Sequence, residues 1–183
     1  MSADYASLLR RWLAEQPTAE TIVVMGGGRE ISRVARAQVH DEFDDAEAHW
    51  LCIEVMRQNA QKLIQQVTEA KWLPCCSELP PAGESTTVWI VDPWRFMLDD
   101  AKTKSPLPES WDVSSDSIAA RLAERVEADE LVLLKSRLPS DLRRLGRYVD
   151  PLFTFAARRL PQVRFVNVRD PQFAHVMWNG SKK

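Results

Sequence analysis

The sequence predicts an α/β domain whose mostly parallel sheet is covered by helices on both faces. Stretches with helical apolar periodicity alternate with short apolar runs, which is the pattern of repeated strand–helix units. The runs "TIVVM" and "ELVLLK" are apolar almost throughout, as is typical of parallel strands buried on both faces. A chain of 183 residues with 45% hydrophobic content is long enough to bury one sizeable core. We therefore predict a three-layer α/β/α sandwich forming a single domain over 1–178, followed by a mobile tail over 179–183.

In the first half of the chain, apolar spacing and breaker residues define the elements. Leu9, Trp12 and Leu13 recur at helical spacing, and Pro17 then interrupts the pattern. The predicted elements are, in order, a helix over 5–15, a strand over 20–25, a helix ending at about His40, a longer helix from about Asp44, and strands over 69–74 and 86–92. The prolines and glycine of 77–85 make that segment a loop.

A long irregular stretch is predicted directly after the strand over 86–92, and within it Pro106 and Pro108 make 101–110 incompatible with regular structure. Serines and an aspartate ahead of an apolar-periodic run then favour a helix start near residue 112. The predicted elements are a helix over 112–126, a strand over 130–136, a helix over 150–160 and a strand over 163–169.

Charge and composition exclude several classes of protein. The net charge of -2 comes from 24 basic and 26 acidic residues that are mixed along the chain, which gives no footprint for nucleic acid or for an anionic membrane. No stretch approaches the roughly 18 apolar residues of a membrane span. The cysteines are odd in number, and Cys75 and Cys76 are adjacent, so we expect a reducing, cytoplasmic setting. Cysteine and histidine spacings match no metal site, so none is predicted from them.

Three consecutive glycines, Gly26, Gly27 and Gly28, follow the first predicted strand directly. Ligands of parallel α/β folds usually bind at the carboxyl ends of the strands, and glycine amides there can closely approach an anion such as phosphate or carboxylate. The alternative is a tight strand-to-helix turn that holds no ligand. A Walker loop and a GxGxxG motif are both ruled out, because "GGGREISR" lacks the GK[ST] ending and the third spaced glycine.

A second cluster of polar side chains marks the helix start near residue 112. It contains Asp112, Ser114, Ser115, Asp116 and Ser117. Ser114 or Ser115 can cap this helix, and Asp116 suits its positive end; alternatively, Asp116 holds a cation, either a lysine or a magnesium ion. Lys135 offers such a cation, because it ends an apolar strand and should emerge at the ligand edge. The sequence therefore predicts that the glycines, Asp116 and Lys135 line one edge of the sheet.

These segments resemble the amino acid kinases, which include acetylglutamate, aspartate and uridylate kinases. "VVMGGGREI" resembles the second glycine-rich motif of that family, and "SWDVSSDSIAARLAERVEADELVLLKS" resembles its aspartate-bearing helix and lysine-tipped strand. "YVDPLF" resembles a segment that follows, so the likeness runs from about Thr21 to Arg169. "AEAHW", "PLPESWDVSSDS" and "LLKS" are most similar to the branch with the archaeal furanmethanol phosphate kinase and its bacterial relatives.

The resemblance implies phosphoryl transfer that depends on ATP and Mg²⁺, onto a small anionic acceptor. Gly26, Gly27 and Gly28 would contact the acceptor and the transferring phosphate, with Ser115 and Arg29 as further phosphate-binding residues. Asp116 would orient cationic groups, and Lys135 would stabilise phosphate charge. Such a site works by positioning and charge neutralisation, so it requires no covalent nucleophile.

One departure from the family concerns its first strand. The family opens with a strand and a motif resembling "KxGGS" that holds the nucleotide phosphates, whereas this chain opens with "MSADYASLLRRWLAEQ", the helix that would follow. Either the chain as given begins late, or this member has lost part of its phosphate site. For the chain as given we expect an amino acid kinase-like fold lacking the usual first strand, and a phosphotransferase with weakened catalysis. The alternatives are a non-catalytic relative that binds a small anion or nucleotide, a structural subunit of a homo-oligomer, and an unrelated α/β interaction domain.

Overall fold

The structure is a computed structural model that describes residues 4–17, 19–39, 44–79 and 86–180. The chain divides into two compact units, Met1–Ser115 and Asp116–Lys183. Each unit is described by itself below, and the single domain over 1–178 stays a prediction. The predicted helix end at His40, part of the predicted loop over 77–85, and residues 181–183 of the predicted tail lie outside the described residues.

The first unit contains four α-helices among its described residues, and their bounds follow the apolar periodicity and the capping residues. They are α1 (Asp4–Ala14), α2 (Ile31–Val39), α3 (Asp45–Gln66) and α4 (Pro93–Asp100). Asp44 begins α3 with a capping box, in which its carboxylate accepts the Glu47 amide at 2.8 Å while Glu47 accepts the Asp44 amide at 3.0 Å. Along α3, the buried face includes Ile53, Met56 and Leu63. The prediction for α1 and the predicted start of α3 are confirmed within one residue, and α2 follows the glycines as predicted.

The helix α4 contradicts the sequence prediction, because the irregular stretch predicted after the strand over 86–92 is wrong for residues 93–100. Its signals are local: Asp92 accepts the backbone amides of Trp94 at 3.0 Å and Arg95 at 3.3 Å, and Pro93 takes the first helical position. The segment 101–110 that follows has no helix or strand, as predicted from its prolines.

Among the described residues of the first unit, the sheet is three-stranded and wholly parallel. Its strands are β1 (Thr21–Val23), β2 (Lys71–Leu73) and β3 (Val88–Val91), in the order β1-β3-β2. Val23 pairs with Ile90, and Leu73 pairs with Val91, so the three strands end at one edge. Gly26 follows β1 at this edge, and Asp92 follows β3.

The second unit has its own sheet and its own buried cluster. Its elements are α5 (Ser115–Arg125), which begins at the last residue of the first unit, β4 (Leu131–Lys135), α6 (Phe153–Ala156), β5 (Val163–Asn167) and β6 (His175–Trp178). β4 pairs with β5 in parallel, and β5 pairs with β6 in antiparallel orientation. Phe153, Phe165 and Trp178 pack together in the core, with the Phe153 ring centroid 6.1 Å from Phe165 and 5.6 Å from Trp178.

The α/β class and the predominance of parallel pairing are confirmed. Two elements of the second unit differ from the prediction: α6 is a single turn rather than a helix over 150–160, and β6 was not predicted. Within the described part of the chain, no helix has the length and apolar character needed to cross a bilayer. Among those residues the strands pair as two three-stranded sheets, and the three-layer sandwich stays a prediction.

Candidate functional site

The centre of the candidate site in the second unit is an ion pair between Asp116 and Lys135. The Lys135 Nζ donates to both carboxylate oxygens of Asp116, at 2.8 Å to Oδ1 and 2.7 Å to Oδ2. Asp116 lies in the first turn of α5, and Lys135 is the last residue of β4. Asp116 is only 7% exposed, and the Lys135 side chain keeps 24% of its surface exposed. Of the two cations that the sequence allowed for Asp116, the structure places the lysine there.

Asp150 fixes the start of the same helix. Its Oδ2 accepts the backbone N–H of Ser117 at 2.9 Å, and its Oδ1 accepts the Ser117 hydroxyl. Asp150 also provides a backbone hydrogen bond to the Asp116 carboxylate. Asp150 and Ser117 are both buried. Asp150 was not a predicted site residue, although it lies in the "YVDPLF" segment of the family resemblance.

The electrostatics of this cluster reflect its burial. Burial raises the pKa of Asp116, an effect that the Lys135 ammonium opposes and the Asp150 charge reinforces. The Lys135 Nζ lies 5.5 Å from the centroid of the Tyr148 ring, whose hydroxyl donates to the Arg137 carbonyl oxygen at 2.7 Å. Burial, together with the Asp116 charge, raises the pKa of Tyr148 to about 12, so this hydroxyl stays neutral at pH 7. A lysine held against a carboxylate and an aromatic ring has a defined position from which to meet an anion.

The glycine turn lies in the first unit, between β1 and a short 3₁₀ turn at Gly28–Glu30 that leads into α2. The Gly26 carbonyl accepts a hydrogen bond from the buried Asn59 amide at 3.0 Å. A Cβ placed on Gly26 would lie 3.1 Å from the Ser115 Oγ, a tight contact that a larger residue could make only if the serine side chain shifted. The structure thus brings together two of the predicted residues, Gly26 and Ser115.

The other two glycines have separate structural reasons. A Cβ on Gly27 would lie 2.2 Å from Ile31 Cδ1, so the backbone there packs directly under the start of α2. Gly28 has φ of 60°, a left-handed conformation that glycine adopts without strain. The Arg29 that follows is exposed. Each glycine is therefore explained by the turn itself, and ligand contact by their amides stays a prediction.

Asp92 and Arg57 form a second polar group at the strand edge of the first unit, and sequence reasoning missed both. Arg57 Nε lies 3.2 Å from Asp92 Oδ2, an ion-pair distance without hydrogen-bond alignment. Asp92 is 2% exposed, and it follows the central strand β3 directly. The signal available in the sequence was an aspartate and a proline directly after an apolar strand, which is typical of a helix start.

Two segments that carry the family resemblance lie against each other in the first unit. The Nδ1 of His49, from "AEAHW", is 3.2 Å from the carbonyl oxygen of Ser110, from "PLPESWDVSSDS". A carbonyl oxygen only accepts, so this Nδ1 carries the proton. Burial lowers the pKa of His49, which favours the neutral ring.

The predicted site residues therefore form two pairs, Asp116 with Lys135 and Gly26 with Ser115. The glycines belong to the first unit and the ion pair to the second, and their common ligand edge stays a prediction. Among the described residues, no group of three or more histidine, cysteine or acidic side chains is arranged to hold a metal ion. In comparisons with known proteins, no family model matches this chain, and no curated protein matches its sequence. The functional argument therefore rests on the geometry of these pairs.

Proposed function

We propose that this protein is an ATP-dependent phosphotransferase acting on a small anionic metabolite, with an amino acid kinase-like fold. The observation that carries this proposal is the lysine at the carboxyl end of β4, held by both oxygens of a buried aspartate. The carboxyl ends of parallel strands are where α/β proteins usually bind ligands. In this proposal the strands form the sheet of the predicted three-layer α/β/α sandwich of the amino acid kinases.

Lys135 and Asp116 have complementary roles in this mechanism. An ammonium has three N–H groups, so a lysine that directs two of them at Asp116 keeps a third for a phosphate oxygen. Asp116 limits the freedom of the lysine before the ligand arrives, and phosphoryl transfer depends mainly on positioning and charge stabilisation. Asp116 is therefore an organiser rather than a general base.

The implied cofactors fit the chemistry of these side chains. Lys135 suits the phosphate oxygens of ATP, whereas both oxygens of Asp116 already contact the lysine. Mg²⁺ in such sites is held largely by the phosphates, with one or two carboxylates, and its contribution is neutralisation of phosphate charge. Gly26, Gly27, Gly28, Arg29 and Ser115 are the proposed residues for the acceptor and the transferring phosphate.

A second candidate is a relative that binds a small anion or nucleotide without transferring phosphate. The glycine turn favours it, because the close approach of Ser115 to Gly26, the packing of Gly27 and the φ of Gly28 give each glycine a structural reason without a ligand. In that case Lys135 would still attract an anion, and no acceptor would be phosphorylated.

Calorimetry and turnover measurements on the full chain separate these candidates. We expect the wild-type protein to bind Mg·ATP and to release ADP faster when small carboxylates or phosphates are added as acceptors. Lys135→Met should lower the turnover by about ten- to a hundredfold, because a hydrogen bond to a charged group contributes about 1.5–3 kcal/mol. Asp116→Asn should weaken Mg·ATP binding, because the lysine loses its charged partner.

Lys102→Met is the matched control, because Lys102 also pairs with an aspartate, Asp99, but its side chain is 75% exposed. This control should behave as wild type. Binding of Mg·ATP without transfer to any acceptor would support the second candidate. If the wild-type chain fails to bind Mg·ATP, both candidates that use a nucleotide are wrong. If Lys135→Met and Lys102→Met change the turnover equally, Lys135 does not belong to the site.

A further inference from the structure

The carboxylate of Asp150 makes contacts that differ from those of an ordinary helix cap. Asp44 caps α3 locally, from three residues away and from an exposed position. Asp150 reaches Ser117 across 33 residues of chain, from a site that is 9% exposed, and both of its oxygens contact this one residue. Such a contact holds two distant segments together at the first turn of α5.

Ser117 is the neighbour of Asp116, so this contact fixes the backbone next to the site carboxylate. The backbone N–H of Asp150 adds a hydrogen bond to Asp116 itself. Asp150 thus contacts both Asp116 and the residue that follows it. Since Asp116 in turn holds Lys135, the position of the ammonium depends on Asp150.

We propose that Asp150 is a positioning residue that holds Asp116, and through it Lys135, in the geometry needed to meet a phosphate. That this geometry serves to bind a phosphate rests on the proposed function. That the Asp116–Lys135 ion pair depends on Asp150 does not rest on it.

Asp150 therefore acts through hydrogen bonds. One of its oxygens accepts the backbone N–H of Ser117 and the other accepts the Ser117 hydroxyl, so a single side chain fixes both the backbone and the side chain of the residue next to Asp116.

The direct test is ¹⁵N NMR of the Lys135 ammonium, assigned by its loss in Lys135→Met. In the wild-type chain we expect a resolved signal with slow hydrogen exchange, since the ammonium donates to Asp116 at two short distances. Asp150→Ala should broaden or remove this side-chain signal, while the backbone amide signals of the fold remain. Asp150→Asn should restore it, because an amide oxygen still accepts from Ser117.

Asp141→Ala is the matched control, because the exposed Asp141 also accepts a backbone amide, that of Arg143 at 2.8 Å, in the same unit. It should leave the Lys135 signal unchanged. If Asp150→Ala does not fold, Ser117→Ala removes the hydroxyl contact alone and should speed the exchange of the Lys135 protons. An unchanged Lys135 signal in Asp150→Ala or in Ser117→Ala would overturn the proposal, as would a wild-type chain whose Lys135 protons are unprotected.

Calorimetry with Mg·ATP on the same variants then separates the two proposals. If the nucleotide binds, Asp150→Ala should weaken its affinity by about tenfold or more, with Asp150→Asn near wild type. If the wild-type chain does not bind Mg·ATP but the Lys135 signal still depends on Asp150, the positioning role stands and the proposed function is wrong. If Mg·ATP binds equally well to Asp150→Ala and to wild type, Asp150 does not position the lysine for phosphate.

Discussion

At the level of single residues, the burial of Asp116 determines how far the loss of Lys135 lowers the free energy of unfolding. Lys135→Met leaves a carboxylate that is 7% exposed without its cation, so we expect the free energy of unfolding at pH 7 to fall by about 2–3 kcal/mol. The loss should be smaller near pH 4. The measurement is urea denaturation of both proteins at the two pH values.

The sign of this pH dependence follows from the raised pKa of Asp116. A carboxyl group with a raised pKa in the folded state favours folding most below its ordinary value of 3.8, and that contribution is lost as the pH rises through the folded value. Without Lys135, burial is unopposed and the pKa rises further. Lys102→Met should cost less than about 0.5 kcal/mol at either pH, because its pair is exposed. A similar cost for both lysines would contradict the buried pair.

The glycine turn allows a second test at this scale. Gly28 has φ of 60° and open space around its missing Cβ, so Gly28→Ala should lower the free energy of unfolding by about 1 kcal/mol through backbone strain alone. Gly146→Ala is the control, because Gly146 also has open space but no positive φ. That variant should be neutral or slightly more stable, and thermal denaturation measures both. Equal stability of the two variants would argue against a left-handed Gly28.

At the level of elements, the two capping aspartates differ in burial. Asp44→Ala should lower the free energy of unfolding by about 1 kcal/mol, the usual contribution of an exposed cap. Asp92→Ala should lower it by about 2–3 kcal/mol, because Asp92 is 2% exposed, accepts two amides and lies beside Arg57. Chemical denaturation of the two variants makes the comparison. A smaller loss of stability for Asp92→Ala than for Asp44→Ala would show that the contact between Asp92 and Arg57 does not add to the free energy of unfolding.

Elements with a clear apolar pattern could be predicted from the sequence, whereas α4 and β6, whose patterns are weak, were missed. α3 has a capping box and a sustained apolar face, so its start was predicted within one residue. α4 has eight residues, and most of its signal lies in Asp92 and Pro93. β6 has the burial pattern of an edge strand, with exposed His175 and Met177, so its sequence lacks the apolar run of a buried strand.

At the level of the whole molecule, one buried thiol reports on opening of the first unit. Cys52 is 5% exposed, and burial raises its pKa to about 11, whereas Cys75 and Cys76 are partly exposed. We expect two thiols to react quickly with a disulfide reagent at pH 8. The third should react more than about a hundredfold more slowly, since the thiolate is the reactive form. Cys52→Ala should remove only the slow phase, and three equally fast thiols would contradict this burial.

The candidate site shows why sequence reasoning succeeds in part at this scale. Lys135 and Asp116 were predicted because a polar residue at the end of an apolar strand or the start of a helix is visible locally. Asp150 was missed because its importance depends on a contact with Ser117, which only the folded chain brings near. Strand pairing has the same character: the apolar runs of β1 to β5 were visible, but the neighbours of each strand in the two sheets were not.

The 33-residue separation between Ser117 and Asp150 also has a kinetic consequence. Closing so long a loop has an entropic cost, whereas α5 and the turns of the chain form from near neighbours. We therefore expect the first turn of α5 to be locked after the folding transition state. Asp150→Ala should then accelerate unfolding with little effect on the refolding rate, as stopped-flow kinetics can show. The contact that fixes the residue next to Asp116 would then form late in folding, after α5 and β4.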